Sequence, residues 1–198
     1  MTAAALVVHD LKNELGALEG ALQLLAVHPE PQAAAAAHRQ CRLLRQRLVT
    51  YLAVYGADGP LHAVREDECP VALLHGVAAR HADAPLPVRV QSGDGLPPFW
   101  VFDRRLVVMA LEAALHNALR YARSAVVLGA HVHGSALVLT VDDDGPGPQP
   151  GPSGDSLATG LGTALCRAVA VAHGAAEDAV QLAARPQGGA RFSLRLPT

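Results

Sequence analysis

The stretch Val141-Asp142-Asp143-Asp144-Gly145-Pro146-Gly147 begins on the last residue of the apolar segment 136–141, which is typical of a β-strand, and its acids and glycines predict a turn after that strand. A carboxylate at this position can accept a hydrogen bond from an exocyclic amine such as that of adenine. The glycines allow the backbone to approach a flat ring closely. An Asp-Gly-Pro-Gly turn is also common on protein surfaces, so its meaning depends on the segments around it.

The segment Glu112–Ala122 places an amide, a cation and an aromatic ring close together on a predicted helix. Asn117 lies on an otherwise apolar helix, and it is followed by Arg120 three residues later and by Tyr121 four residues later. An amide oxygen suits Mg²⁺, a guanidinium suits phosphate, and a phenol ring can cover a base.

The third segment, Thr159-Gly160-Leu161-Gly162-Thr163, opens another predicted helix. Backbone amides lined by glycines at a helix amino terminus form an anion site that suits phosphate. Each segment alone has an ordinary structural explanation, such as a helix-surface amide or a turn. The three in this order, around a predicted β-hairpin, favour a nucleotide site.

The amino-terminal segment predicts a helix with a leucine seam. Its apolar residues recur at alternating spacings of four and three, the heptad pattern of helices that pack on helices: Leu11, Leu15, Leu18, Leu22 and Leu25. His9 falls beside this seam on the solvated flank, with Asn13 one turn further along the same face.

We expect two helices in this first module, separated by His28-Pro29-Glu30-Pro31 because proline cannot continue a helix. They run from about Thr2 to Val27 and from about Gln32 to Tyr55. The second carries the stripe Cys41, Leu44, Leu48, Tyr51 and Tyr55. A lone helix pair is marginal in water, whereas a dimeric four-helix bundle would bury both stripes. The alternative is that the hairpin packs on its own second module.

The second module predicts helices on one face of a mixed sheet, an α/β sandwich. We expect helices over Pro70–His81, Arg104–Arg120 and Gly160–His173, and strands over Leu86–Gln91, Ser124–Val132, Ala136–Val141, Ala179–Ala184 and Arg191–Leu196. The fold class is therefore α+β, with a helical hairpin over residues 1–60 and the sandwich over residues 61–198.

Composition excludes several classes of protein. The net charge of −2 and the lack of a basic stripe argue against nucleic-acid binding. No apolar run approaches the roughly 20 residues of a membrane span, and no basic leader precedes an apolar segment. The three cysteines are far apart, which is typical of reduced, mostly buried thiols. We therefore expect a cytoplasmic protein.

Five motifs together resemble the catalytic core of bacterial sensor histidine kinases. They correspond to the histidine box, the asparagine box, two glycine boxes and the closing strand of that family: HDLKN (9–13), LHNALRYA (115–122), VDDDGPG (141–147), TGLGTAL (159–165) and GGARFSLRLP (188–197). The resemblance implies a dimerising helical hairpin followed by a Bergerat-type ATP-binding domain, as in histidine kinases and gyrase.

The resemblance also implies a role for each motif residue. His9 would accept the phosphoryl group of ATP, Asp10 would orient the imidazole and draw off its proton, and Asn13 would align water for dephosphorylating a partner. The phosphoryl group would then pass to an aspartate of a separate response regulator. Because the sequence shows no sensory segment, we expect the input to come from a partner such as a separate sensory protein. Asn117 would bind Mg²⁺, and the nucleotide would lie among Asn117, Arg120, Tyr121, Asp143, Gly145, Gly147, Thr159, Gly160, Leu161, Gly162 and Thr163.

Four features depart from the family pattern. Ala113 stands where these kinases usually carry an asparagine or an acid, Ala158 replaces a common glycine, and Ala190 replaces the usual threonine. The loop from Pro148 to Leu157 is short, which predicts a reduced lid. These departures leave one alternative open beside the kinase: a phosphotransferase that relays phosphate between receivers and has a degenerate ATP domain. A third alternative is a serine kinase that restrains a sigma factor and has the same ATP-binding fold. The helical hairpin and its flanking histidine argue against it, because such a kinase needs neither.

Overall fold

The computed structural model describes residues 3–56, 61–93, 95–148 and 161–198. The chain divides into two compact units, Met1–Gly59 and Pro60–Thr198. The first unit is helical and the second contains both helices and strands. The α+β fold class predicted from the sequence is therefore confirmed.

The first unit is a hairpin of two long helices, α1 (Ala3–Val27) and α2 (Pro31–Tyr55). Pro31 occupies the start of α2, where its missing N–H has no helical partner to lose. An ion pair between Glu14 and Arg47 joins the two helices. No helix among the described residues is long and apolar enough to cross a membrane.

The leucine seam of α1 is split in the structure. Leu18 is buried, and Leu11 and Leu25 are half-buried. Leu15 and Leu22 remain 47% and 52% exposed. Residues four apart on an α-helix are offset by about 40°, so a single partner helix covers one heptad row and leaves the next open.

The apolar stripe predicted on α2 is also only partly buried within one chain. Leu44 and Tyr51 are half-buried, whereas Cys41, Leu48 and Tyr55 are exposed. The hairpin thus leaves an open set of apolar side chains on its two helices: Val8, Leu15, Leu22, Leu24, Val27, Leu48, Val49, Leu52 and Tyr55.

The described residues of the second unit form three α-helices, a short 3-10 helix (Glu177–Ala179), a two-stranded sheet and a five-stranded sheet. The helices are α3 (Pro70–Ala79), α4 (Arg104–Tyr121) and α5 (Leu161–Ala172). The strands are β1 (Glu66–Glu68), β2 (Val88–Ser92), β3 (Trp100–Phe102), β4 (Val126–His133), β5 (Ala136–Asp143), β6 (Val180–Ala184) and β7 (Ala190–Pro197). The large sheet has the order β2-β4-β5-β7-β6, and only β2 and β4 are parallel.

The core of this unit lies between the helices and the large sheet. The helices α4 and α5 bury one apolar face each, and β5 contributes Leu137, Leu139 and Val141. Asp103 caps α4, because its Oδ1 accepts from the Leu106 amide at 3.0 Å. The buried His173 ring accepts from the Asp103 amide and thereby fastens the end of α5 to the start of α4.

Several predicted boundaries shift by a few residues. Strand β2 begins at Val88 rather than Leu86, because Pro87 has no N–H to donate to a ladder. The three-residue strands β1 and β3 were not predicted, since they are too short to show a period of two.

The three cysteines are less uniformly buried than the sequence predicts. Cys41 is exposed, Cys69 is half-buried and Cys166 is buried in α5. Burial raises the pKa of Cys166 to about 12, because the surrounding apolar side chains disfavour the thiolate. The expectation of mostly buried thiols was therefore wrong for Cys41, which lies on the open face of α2.

Candidate functional site

The end of β5 carries two acids that point to opposite faces of the sheet. Alternation places Asp143 on the side of the buried Val141, whose side chain belongs to the core. Asp142 lies on the other face, opposite Arg191 of β7. The carboxyl-terminal end of β5 therefore presents one carboxylate to each face of the sheet.

The carboxylate of Asp143 is held by two backbone amides. Its Oδ1 accepts from Gly145 N at 2.8 Å and from Ala190 N at 3.2 Å, and the residue is only 7% exposed. Among the described residues no donor pairs with Oδ2. One fixed oxygen and one available oxygen make this carboxylate a preorganised acceptor for a ligand amine.

Three glycines allow separate backbones to meet around Asp143. A Cβ at Gly145 would lie 2.4 Å from the Tyr121 carbonyl oxygen, and one at Gly189 would lie 2.0 Å from the Asp143 carbonyl oxygen. Gly147 and Gly189 also have φ values of +79° and +87°, which side-chain-bearing residues rarely adopt. The first glycine segment (residues 141–147) and the turn between β6 and β7 therefore pack main chain against main chain.

The opposite face carries a charge cluster that the sequence did not indicate. Arg191 donates two hydrogen bonds to Asp142, at 2.7 and 2.6 Å. These bonds raise the pKa of the Arg191 guanidinium above its ordinary value. Arg185 approaches Asp142 Oδ2 at 3.6 Å and donates to the Asp143 carbonyl at 2.7 Å. The pairing of Arg191 with Asp142 across the two strands could have identified this residue. That pairing can be recognised only once the register of β5 against β7 is known.

The third acid of the segment fastens the loop that follows α4. Asp144 accepts hydrogen bonds from the Ser124 hydroxyl, the Ser124 amide and the Arg123 amide. These bonds hold the pKa of the Asp144 carboxyl well below its usual range, the Ser124 hydroxyl contributing most. Asp144 thus has a structural role in joining the first glycine segment to the end of α4.

Helix α4 brings the asparagine segment to the same region. Asn117 is half-buried, whereas Arg120 is exposed with its guanidinium 5.4 Å from the Tyr121 ring centre. The Tyr121 carbonyl lies against Gly145, which links this helix end to the β5 turn. The carboxyl end of α4, which carries Arg120 and Tyr121, therefore lies against the turn that follows Asp143.

The start of α5 lies against α4 one turn before Asn117. A Cβ at Gly162 would be 3.8 Å from the Ala113 Cβ, and Leu161 is buried. Thr163, in the first turn of α5, is half-buried. Thr159, Gly160 and Ala158, together with the predicted lid from residue 149 onward, lie outside the described residues.

Glu112 is adjacent to Ala113 in the sequence but serves a different purpose. It accepts hydrogen bonds from Arg80 Nε at 2.8 Å and pairs with His81 Nε2 at 2.5 Å. Burial opposes ionisation of Glu112, yet the bonds from His81 and Arg80 outweigh it and hold the carboxyl pKa below its ordinary value. This acid secures the end of α3 to α4, so it does not replace the acid missing at Ala113.

His9 lies on the exposed flank of α1, as the heptad register predicts. Its side chain is 66% exposed, with Asp10 Oδ1 3.7 Å from Nδ1. The Asn13 amide nitrogen lies 3.3 Å from the same Nδ1. Both neighbours therefore contact Nδ1, and Nε2 is the ring nitrogen that faces away from them.

The chain is similar to known proteins in sequence and in fold. Residues 102–198 match the family described as histidine kinase-, DNA gyrase B-, and HSP90-like ATPase. The Escherichia coli sensor protein KdpD is 37% identical over 112 residues, which cover 49% of this chain and 12% of KdpD. The E. coli sensor protein RstB is 30% identical over 214 residues, which cover 96% of this chain and 47% of RstB.

The chain thus spans less than half the length of either sensor protein. Among solved structures, the Acinetobacter baumannii histidine kinase AdeS has a TM-score of 0.68 at 20% identity, covering 96% of this chain and 97% of AdeS. That likeness concerns the fold. Residues 102–198 thus belong to the histidine kinase-, DNA gyrase B-, and HSP90-like ATPase family, and the matches to the sensor proteins support the assignment of this chain to the catalytic region of bacterial sensor histidine kinases.

Proposed function

We propose that this chain is an ATP-dependent protein histidine kinase that phosphorylates His9 and passes the phosphoryl group to an aspartate of a response regulator. The observation that supports it most strongly is the Asp143 carboxylate. Its Oδ1 is fixed by the Gly145 and Ala190 amides, and its Oδ2 has no donor among the described residues. An acceptor fixed in this way suits the exocyclic amine of adenine.

The residues around Asp143 fit the rest of a nucleotide. Gly145 and Gly147 let the turn after Asp143 pack against the backbones of Tyr121 and Gly189, because a Cβ at either position would meet those backbones. Arg120 and Tyr121 offer a cation and a ring at the end of α4. Gly160 and Gly162, with Thr159, Leu161 and Thr163, are proposed to shape the phosphate loop. Ala190 lacks a hydroxyl but keeps a useful contact, since its amide donates to Asp143.

The half-buried Asn117 amide is the proposed Mg²⁺ ligand. When bound, Mg²⁺ would neutralise phosphate charge and orient the γ-phosphoryl group. An amide oxygen fits a cation that prefers oxygen ligands. Ala113 leaves Asn117 without a second oxygen ligand one turn earlier, so we expect weaker placement of the cation than in kinases with an asparagine there.

The chemistry proposed at His9 follows from its two neighbours. The Asp10 carboxylate favours the tautomer with the proton on Nδ1, in which the Asn13 side chain would turn its amide oxygen towards that proton, and the ring then attacks the γ-phosphorus through the Nε2 lone pair. The N–P bond forms as the bond to the bridging oxygen breaks, and ADP leaves with those electrons. Asp10, 3.7 Å from Nδ1, stabilises the positive ring and draws off its proton. Asn13, one turn away, is proposed to align water when the partner is dephosphorylated.

A second function remains open because of Ala113. A histidine phosphotransferase would use His9 to relay phosphate between receiver domains and would need no ATP. Against it, a domain without nucleotide has no physical need for a fixed acceptor at Asp143 or for close backbone packing at Gly145 and Gly189. The kinase is therefore the function that the geometry favours.

Incubation with γ-labelled ATP and Mg²⁺ separates the two functions. The kinase predicts covalent label that is lost in acid and retained in alkali, as expected of a phosphohistidine. Absence of label from ATP, with label gained from a phosphorylated receiver domain, would instead establish the phosphotransferase.

We also propose that the chain forms a homodimer through the hairpin. The exposed apolar rows, including Leu15 and Leu22 on α1 and Leu48 and Leu52 on α2, support this assembly. Sedimentation should give a dimer for the unaltered chain and a monomer for Leu22→Glu. A monomeric unaltered chain would contradict the assembly. A separate sensory protein and a cytoplasmic location remain predictions of the sequence.

A further inference from the structure

The turn between β6 and β7 is closed by its own backbone. The Arg185 amide donates to the Gly189 carbonyl at 3.1 Å, and the Gly188 amide donates to the Arg185 carbonyl at 3.0 Å. Gly188 and Gly189 have φ values of +90° and +87°, which the turn requires. The backbone of Arg185 is therefore fixed at the first position of the turn by hydrogen bonds to Gly188 and Gly189.

The guanidinium of Arg185 reaches the end of β5. Its Nη1 donates to the Asp143 carbonyl at 2.7 Å, and its Nε lies 3.6 Å from Asp142 Oδ2. The side chain is 21% exposed. Partial removal from water strengthens a hydrogen bond from a charged donor. The contact therefore joins the turn to the backbone of the residue proposed to read adenine.

The same turn also contacts the carboxylate of that residue. The Ala190 amide, which directly follows Gly189, donates to Asp143 Oδ1 at 3.2 Å. The β6–β7 turn therefore makes two hydrogen bonds to Asp143. The Arg185 side chain donates to its carbonyl oxygen, and the Ala190 amide donates to its carboxylate. A shift of the turn would rotate Oδ2 away from the direction set by these two bonds.

From this geometry we propose that Arg185 is a positioning residue for the nucleotide base, and that it sets the preference for adenine over guanine. The inference rests on the proposed function, because it takes Asp143 as the adenine acceptor. Asp143 presents an acceptor where adenine offers an amine and guanine offers a carbonyl oxygen. A site built to accept from an amine rejects the base that lacks it, because two acceptors then face each other.

Arginine is better suited to this task than lysine. A planar guanidinium can donate to the Asp143 carbonyl through Nη1 while Nε faces Asp142. Arg191 already donates a hydrogen bond to each carboxylate oxygen of Asp142. An ammonium at position 185 would have to choose one of the two acceptors, so it would hold the end of β5 less firmly.

The test uses the full chain with three substitutions. Arg185→Met removes the donors at similar length, and Arg185→Lys keeps the charge. Arg195→Met is the matched control, because Arg195 lies on β7 and makes no ion pair with a described residue. Dissociation constants for non-hydrolysable ATP and GTP analogues are measured by calorimetry. Thermal unfolding verifies that each variant folds.

We expect Arg185→Met to lower the ratio of ATP to GTP affinity about tenfold, the usual scale for a hydrogen bond involving a charged group. Arg185→Lys should fall between this variant and the unaltered chain, and Arg195→Met should leave the ratio unchanged. Should Arg185→Met fail to fold, the lysine variant carries the test. An unchanged ratio in a folded Arg185 variant overturns the inference alone, whereas failure of the unaltered chain to bind ATP overturns the proposed function and the inference together.

Discussion

Replacing His9 by glutamine is expected to abolish covalent labelling from γ-labelled ATP while leaving the affinity for ATP unchanged. Glutamine keeps a polar side chain of similar reach on the exposed flank of α1, so the helix should not be disturbed. It has no ring nitrogen with a free lone pair to attack phosphorus. The measurement pairs a labelling time course with calorimetry on the same sample.

His38→Gln is the matched control for this prediction. His38 is also an exposed histidine, and it lies on α2 of the same hairpin. The control should be labelled as fast as the unaltered chain. Label retained in the His9 variant would place the phosphorylated residue elsewhere and contradict the role assigned to His9.

Replacing Asp143 by asparagine is expected to weaken ATP binding by about 10- to 100-fold, the scale of a hydrogen bond to a charged group. The amide oxygen of asparagine can still accept from Gly145 and Ala190, so the turn should survive. The amide nitrogen would then replace Oδ2 and meet the adenine amine donor to donor. Calorimetric titration with a non-hydrolysable ATP analogue measures the loss.

Asp67→Asn provides the control. Asp67 is an exposed acid on β1, and its substitution changes the net charge by the same amount as Asp143→Asn. Its affinity should match that of the unaltered chain, and both variants should remain dimeric. Equal affinity in the Asp143 variant and the control would contradict the assignment of Asp143 as the adenine acceptor.

The sequence predicted the long periodic elements well and the short ones poorly. Helices α1, α2 and α4 repeat apolar residues over several turns, so their type and approximate ends were predictable. Strands β1 and β3 have three residues each and pair across more than thirty positions, which no local pattern encodes. Which leucines of α1 would be buried also depended on α2 and not on the heptad alone.

In the candidate site, the sequence indicated individual residues but not the contacts that hold them. Asn117 was proposed because an amide oxygen on an otherwise apolar helix suits Mg²⁺, whereas the choice of Asp143 among three adjacent acids came from the resemblance to histidine kinases. The two bonds that hold Asp143 Oδ1 could not be predicted, since one comes from Ala190 on a distant strand. Arg185 donates to the backbone carbonyl of Asp143, 42 positions earlier. This contact could not be predicted, because every residue type has the same backbone carbonyl.

The most direct test of the central claim is a calorimetric titration of the unaltered chain with a non-hydrolysable ATP analogue in the presence of Mg²⁺. The kinase account predicts saturable binding with a dissociation constant in the micromolar range, weaker when Mg²⁺ is withheld. No binding up to millimolar concentrations would contradict it, and would leave a phosphotransferase whose second unit serves only as a scaffold.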